Sequence, residues 1–290
     1  MKDKSTQTIA ITGITGSQGG AAARALLQEG WKIRGLTRNP KRKQAAALAD
    51  LGAVLIQGNM GDPEALERLF DGVYGVYGVT DFFRNGIDKE IEHGKLIADT
   101  AKKTGVKHLI FASAASSDQD TGIPHFDSKW QIEQHIETLG IPATILRPTI
   151  FMEDLTEMKY FPPGGWGMMM KIIGPQRPLK WIAVDSIGAV AAAVFADPDT
   201  YIGKKIPLVG DTKSIAEARD IFKKVDGKTP FKISMPVWLF RRMVSKELTL
   251  MYEWLSRHDL EGDIDAVRKI HPDLMDMETW LKNKRKKGRK

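Results

Sequence analysis

From residue 8 to residue 147, short β-branched runs alternate with longer helix-compatible stretches, strand then helix, five times over. That rhythm constrains the fold more than any other feature of the chain, because a helix between successive strands implies βαβ crossovers and a parallel sheet. Strands are expected at 8–12, 32–37, 53–57, 75–79, 107–112 and 143–147, and helices at 19–29, 40–51, 63–70, 87–104 and 125–139. Gly30, Gly52, Gly105 and Gly140 stand just past the expected helix ends, where a residue tolerant of positive φ stops a helix. The fold class is therefore α/β: a doubly wound parallel Rossmann sheet with a smaller C-terminal α/β lobe.

The rhythm changes after Pro148. Residues 1–150 read as a dinucleotide-binding half. Residues 151–281 read as a smaller lobe for a substrate or partner, with a stretch at about 184–210 returning to the first sheet, and residues 282–290 as a basic, disordered tail. The run 162–170, Pro-Pro-Gly-Gly-Trp-Gly-Met-Met-Met, reads as an apolar loop with no element of its own. Beyond it the pattern predicts a small-residue helix at 184–196, a strand at 205–209, a helix at 215–225 and a short strand at 231–235. A long amphipathic helix at 236–257 would pack Leu239, Phe240, Met243, Leu250, Met251 and Trp254 against the lobe.

Charge excludes one partner class. The net charge is +7, and residues 282–290 hold seven basic residues and no acid, so removing them leaves the first 281 residues formally neutral. The basic character belongs to a tail and not to a face, which argues against direct nucleic-acid binding. That tail reads as a solvated end, with a nuclear-localisation or anion-docking segment as the alternative. Zero cysteines rule out disulfides, a thiolate metal site and a thiol nucleophile, and the six histidines show no H-E-x-x-H, so no metal is expected. The longest apolar run, 187–196, is far below the roughly 18 residues of a membrane span. The N-terminus enters the first strand without an apolar leader, so a cytoplasmic protein is expected, reaching the nucleus only if the tail directs it there.

The first strand runs into Ala-Ile-Thr-Gly-Ile-Thr-Gly-Ser-Gln-Gly-Gly, residues 10–20, and then into a helix. In that context Gly13 permits the tight turn, Gly16 lets backbone approach a pyrophosphate, and Gly19 with Gly20 brings helix and strand together, while the amides of the helix start face phosphate. At the end of the second strand, where a carboxylate would select NAD by bonding the ribose 2′-hydroxyl, the chain has Arg38. A guanidinium there can grip a 2′-phosphate, with Lys41 and Arg42 raising the local potential, so NADP(H) is the expected cofactor.

These motifs, with QGNMGD after the third strand, GVYGVTDFF after the fourth, HGKLIADTAKKTGVKHLIFASA, HFDSKWQIE and LRPTIFMEDL, give the chain its resemblance to the NmrA-like family of atypical short-chain dehydrogenase/reductase folds. The resemblance implies that Gly13, Ile14, Thr15, Gly16, Ser17 and Gln18 wrap the pyrophosphate and that Arg38, Asn39, Lys41 and Arg42 meet the 2′-phosphate. It implies that Asn59 and Met60 border the adenine, and that Thr80, Asp81, Phe82, Lys129, Phe151 and Asp154 line the ribose and nicotinamide end. Asn59 departs from the aspartate common in the family.

Typical short-chain dehydrogenases place a tyrosine four residues before the lysine as proton donor and a serine to polarise the carbonyl. Here Lys129 is present, His125 stands four residues before it, and Ser113 is the candidate serine. His125 is either a general acid or a helix-start residue without catalytic duty, and Lys129 can also serve by bonding the nicotinamide ribose. Two functions follow from the resemblance. The first is a redox-sensing regulator that reads the dinucleotide and acts on a protein partner. The second is an NADPH-dependent reductase of quinones, enones or related small carbonyl compounds, using Lys129 without the tyrosine. For such a flat, aromatic or quinone-like substrate, Phe151, Trp166, Met168, Met169 and Met170 would line an apolar cleft, core packing being the other reading of the Trp and Met cluster. The sequence leaves the oligomeric state open.

Overall fold

The computed structural model describes residues 4–157 and 164–287. Pro162 and Pro163 of the expected loop, and residues 288–290 of the expected tail, lie outside the described residues. Five strand-and-helix repeats and a sixth strand open the chain: β1 (Thr8–Ile11), α1 (Ser17–Gln28), β2 (Lys32–Thr37), α2 (Lys43–Asp50), β3 (Val54–Gln57), α3 (Pro63–Phe70), β4 (Gly75–Gly78), α4 (Phe82–Asn85), α5 (Ile87–Lys103), β5 (His108–Ala112), α6 (Pro124–Leu139) and β6 (Ala143–Pro148). A short β7 (Ile150–Phe151) and a 3₁₀ turn at Met152–Thr156 lead out of this half. Then come α7 (Gly165–Ile172), β8 (Pro178–Ile182), α8 (Val184–Ala196), α9 (Pro198–Tyr201), β9 (Lys205–Leu208), β10 (Asp211–Ser214), α10 (Ile215–Asp226), α11 (Val237–Met243), α12 (Lys246–Leu255), α13 (Ile264–Ile270) and α14 (Met277–Lys287).

Seven parallel strands form the central sheet in the order β3-β2-β1-β4-β5-β6-β9, so β9 extends the sheet beyond β6. A second sheet of three strands, β10-β8-β7, stands apart from it. The strands at the middle of the large sheet are apolar on both faces, as they must be when helices cover both: every residue of β4 and β5 is buried. One face packs Ile9, Ile11 and Tyr77 under α1 and α8; the other packs Val76, Leu109 and Phe111 under α3, α5 and α6. α1 and α8 approach closely because Gly188 presents no side chain: a Cβ there would collide with the backbone of Ala21. A third core, built from Trp166, Met168, Trp181, Phe222, Phe240, Tyr252 and Trp280, holds the C-terminal elements together.

Four expectations are corrected. The run read as a loop at 162–170 carries a helix, α7, over its described part, because Trp166, Met168 and Met169 bury on the third core. No strand forms at 231–235, where the chain is irregular. The amphipathic stretch 236–257 is two helices, broken where the Ser245 hydroxyl accepts the Leu248 amide at 3.0 Å and starts α12 afresh. The tail does not hang free up to Lys287. It continues α14, whose Lys282 pairs with Glu278, whose Arg285 meets Asp226 through two bonds of 2.7 and 2.6 Å, and whose Lys284 donates to Thr156 at 2.6 Å. No helix among the described residues is long and apolar enough to cross a membrane.

The two halves are tied through Arg147 on β6. Its guanidinium, almost wholly buried, meets the fully buried Glu133 of α6 at 2.6 Å, Asp118 at 2.8 Å and Glu261 of the C-terminal half at 3.1 Å. Arg147→Ala leaves the buried Glu133 with only the Lys205 ammonium, 3.9 Å away, as counter-ion, so a loss of about 3–5 kcal/mol in a urea unfolding experiment is expected. A change under about 1 kcal/mol, the usual worth of an exposed pair, would contradict this account of the join.

Candidate functional site

The strand order reverses between β1 and β4, and the connections leaving the carboxyl ends of those strands part there, which is where doubly wound sheets bind ligands. A cavity of about 600 Å³ opens at this point and runs from Arg38 on one side to the C-terminal helices on the other. At its floor the Gly16 amide bonds the Gly13 carbonyl at 2.8 Å, and α1 begins at Ser17 with no side chain capping its first turn. Uncapped amides at the start of a 12-residue helix, facing a cavity, are the donors an anionic phosphate needs. A Cβ on Gly19 would strike the Gly13 carbonyl, so the close approach of helix and turn depends on that glycine. This glycine cradle, with Arg38 at the open end of β2, fits a pyrophosphate dinucleotide. Among the described residues no group of His, Asp and Glu is arranged to hold a metal ion.

Lys129 lies at the centre of the cavity wall. Its ammonium donates to Thr80 Oγ1 at 2.6 Å, pairs with Glu90 Oε1 at 2.9 Å and lies 5.4 Å from the centroid of the Phe111 ring. Glu90 comes from α5 and is fully buried, accepting bonds from Thr80 at 2.8 Å and Ser128 at 2.5 Å. Burial alone would push the Glu90 carboxyl up, but the Lys129 charge and the bonds from Ser128, Lys129 and Thr80 outweigh it and hold the group below the ordinary carboxylate range. Glu90 therefore stays ionised and keeps the ammonium where it is.

One helical turn earlier on α6, His125 faces the same cavity. Its Nδ1 lies 2.6 Å from Glu247 Oε1, its backbone amide reaches the same oxygen at 3.2 Å, and its ring stacks on Phe82 with 4.7 Å between centroids. Ser113 also lines the cavity, but its hydroxyl donates to Glu133, so its proton is committed away from any bound carbonyl. The sequence expectation gives Ser113 the role of polarising a carbonyl.

The far end of the cavity is apolar and acidic together. Phe151, Met169, Trp181, Met251, Leu255 and Leu260 line it, with Tyr252, Glu153, Asp154 and Glu157 among them. Asp154 is half-buried; its burial, and then the charges of Glu153 and Glu157, push its carboxyl up to about 8, and Lys284 relieves this only in part. Glu153 is also raised by burial, although the Val184 amide at 3.0 Å and Trp280 Nε1 at 2.8 Å bond its carboxylate. The Tyr252 phenol is raised by burial and by Asp154, which makes it a weak acid at neutral pH.

The cavity gathers Gly13, Thr15, Gly16, Ser17, Gln18, Gly19, Arg38, Asn59, Met60, Thr80, Asp81, Phe82, Lys129, Phe151 and Asp154 along its wall. Other expected residues stand elsewhere. Ile14 is fully buried beneath Gly35, filling the space its missing side chain leaves. Asn39, Lys41 and Arg42 are exposed beside the cavity, Asn39 Oδ1 accepting the Lys41 amide in a local turn that delays α2 to Lys43. Trp166 and Met168 are core: the Trp166 ring packs edge-on against Phe222, and Met169 turns to the cavity in their place. Sequence reasoning passed over Glu90, Glu247 and the aromatic and aliphatic wall from α12. Glu90 had a signal, being an acid on the apolar face of its helix with His93, Gly94, Ile97 and Ala101. Glu247 had none beyond a first-turn acid after an N-capping serine.

The NmrA-like family model matches residues 5–281. The NmrA-like family domain-containing oxidoreductase notA′ of Aspergillus versicolor is 29% identical over 250 residues, covering 77% of this chain and 70% of that protein. Among solved structures, NmrA, a negative transcriptional regulator in complex with NADP, superposes with a TM-score of 0.75 at 21% identity, covering 95% of this chain and 94% of its own. The triphenylmethane reductase of Citrobacter sp., complexed with NADP(H), gives 0.77 at 21% identity over 95% and 99%. Both share this fold.

Asp154 provides a prediction of its own. Between its ordinary value of 3.8 and about 8 the folded chain holds a proton that the unfolded chain has released, so this group's contribution to stability falls as pH rises through that window. Asp154→Asn is expected to gain in melting temperature relative to the parent as pH goes from 4 to 8. A difference that stays constant with pH would show that Asp154 ionises as freely in the folded protein as in the unfolded chain.

Proposed function

The chain belongs to the NmrA-like family, and we propose that within it this protein is an NADPH-dependent reductase of small, flat, electron-poor compounds such as enones and quinones. The observation that carries the proposal is the apolar compartment beyond Lys129. A dinucleotide sensor needs a cradle for the cofactor and a surface for its partner, whereas this cavity continues past the cradle into a pocket walled by Met169, Trp181, Met251 and Leu255. That room reverses the order of the two functions suggested by the sequence. The similarity of this chain to the oxidoreductase notA′ supports the same reading.

In this reading the α1 amides and the Gly13–Gly19 turn hold the pyrophosphate, Arg38 takes the 2′-phosphate, and Asn59 and Met60 flank the adenine. Bound there, the reduced nicotinamide supplies a hydride. Lys129, fixed by Glu90 and Thr80, bonds the adjacent ribose and brings a positive charge beside the site where negative charge develops. The apolar wall removes water from the acceptor, which strengthens that electrostatic contribution.

The test is NADPH oxidation by the purified protein, followed by nicotinamide absorbance, against a panel of enones, quinones and aldehydes. Turnover that Lys129→Ala abolishes is the expected result; NADPH binding without turnover on any acceptor would return the protein to the regulator class. Arg38→Ala is expected to weaken NADPH by about 10- to 100-fold while sparing NADH, the worth of a charged hydrogen-bonding contact. Equal loss for both dinucleotides would remove Arg38 from the 2′-phosphate.

A further inference from the structure

We propose that Glu247 and His125 form a proton-delivering pair, in which a glutamate from the C-terminal half takes the positioning role for an imidazole that stands where related enzymes have tyrosine. The proposal rests on the reductase reading and adds to it the source of the second hydrogen. A carboxylate only accepts hydrogen bonds, so the 2.6 Å contact requires the hydrogen to lie on His125 Nδ1. The same oxygen accepts the His125 backbone amide, and Phe82 lies parallel to the ring at 7°, so rotation and tilt are both fixed. With Nδ1 turned to α12, Nε2 is the ring nitrogen left for the cavity that His125 lines. His125 and Lys129 are four residues apart on one face of α6, which sets the imidazole one turn from the ammonium.

Two competing donors are poorly placed to act. The Ser113 proton is bound to Glu133, and burial beside Asp154 raises the Tyr252 phenol away from neutral pH. With an enone as acceptor, the reductant is a reduced nicotinamide dinucleotide. Hydride adds to the β-carbon, the C=C π pair moves to leave an enolate, and the Nε2–H bond of the imidazolium breaks with its electron pair staying on nitrogen. The enolate oxygen gains that hydrogen, and His125 is left neutral with hydrogen on Nδ1 against Glu247. A proton from bulk solvent (hydronium or buffer acid) returns to Nε2 before the next cycle, so each turnover consumes one hydride and one solvent proton. Glu247 never gives up a proton; it aims the ring and stabilises its charge, as the acid of a triad does for its histidine.

A cationic triphenylmethane dye separates this role from a structural one, since its central carbon takes hydride and becomes neutral without any proton. His125→Asn and Glu247→Gln are expected to lower kcat on an enone, by about 10²-fold or more for His125→Asn, the usual worth of a general acid, with KM nearly unchanged. Any turnover of the dye should be spared. In the cofactor-free protein, long-range ¹H–¹⁵N NMR of ¹⁵N-histidine should report neutral His125 as the Nδ1–H tautomer, and Glu247→Ala should shift it toward Nε2–H. An Nε2–H tautomer in the parent protein, equal losses on both acceptors, or loss on Tyr252→Phe with His125→Asn unaffected would each overturn the pair while leaving the reductase reading intact. Absence of NADPH oxidation on every acceptor would overturn the reductase reading and the pair with it.

Discussion

His125, Lys129 and Glu133 follow one another at four-residue intervals along one face of α6, and each is paired to a different element: Glu247 of α12, Glu90 of α5 and Arg147 of β6. The walls of the cavity depend on this row. α5 and β6 belong to the nucleotide-binding half, whereas α12 and the Glu261 that also meets Arg147 belong to the C-terminal half, so the three pairs register the halves against one helix. A helix fixes its side chains relative to one another more rigidly than a loop does, and groups on one helical face keep their spacing when the surroundings shift.

Around that row the sheet supplies position and the C-terminal half supplies enclosure. The reversal between β1 and β4 opens the cleft, and close packing of α8 on α1, permitted by Gly188, brings the returning segment back over the nucleotide-binding side. α12 then closes the far end with Leu248, Met251 and Tyr252. The 3₁₀ turn after β7 places Asp154 and Glu157 at the same end, and Lys284 of α14 leans on that turn through Thr156. The basic C-terminal stretch thus helps to shape the acidic end of the cavity.

The nucleotide-binding half was legible in the sequence because its information is local. A strand's two-residue period, a helix's longer one, a stop glycine and a glycine turn are each read within a dozen residues, and α3 was bounded at both ends by Pro63 and the Asp71–Gly72 turn. The C-terminal half was legible only in part. α7 contains two glycines, one tryptophan and three methionines of weak period, and it is a helix because Trp166, Met168 and Met169 find a core to fill. β8 and β10 are held by pairing with each other, a contact between residues 30 to 36 positions apart that no local pattern reports. In the site, the glycines and Arg38 were visible by position, while Glu247 was not, because its meaning lies in a contact with a residue 122 positions away.

Stability alone does not explain the row on α6. Burying a charge costs several kcal/mol before pairing restores it, and apolar side chains of similar volume hold two halves together at least as well. Glu90 and Glu133 are both fully buried, and Arg147 is nearly so. Their pairing, with that of His125 and Glu247, maintains a definite arrangement: a fixed ammonium and a fixed imidazole on one wall of the cavity. An apolar substitute could close the same cavity, but it could not present a positive charge and a proton donor at set positions inside it.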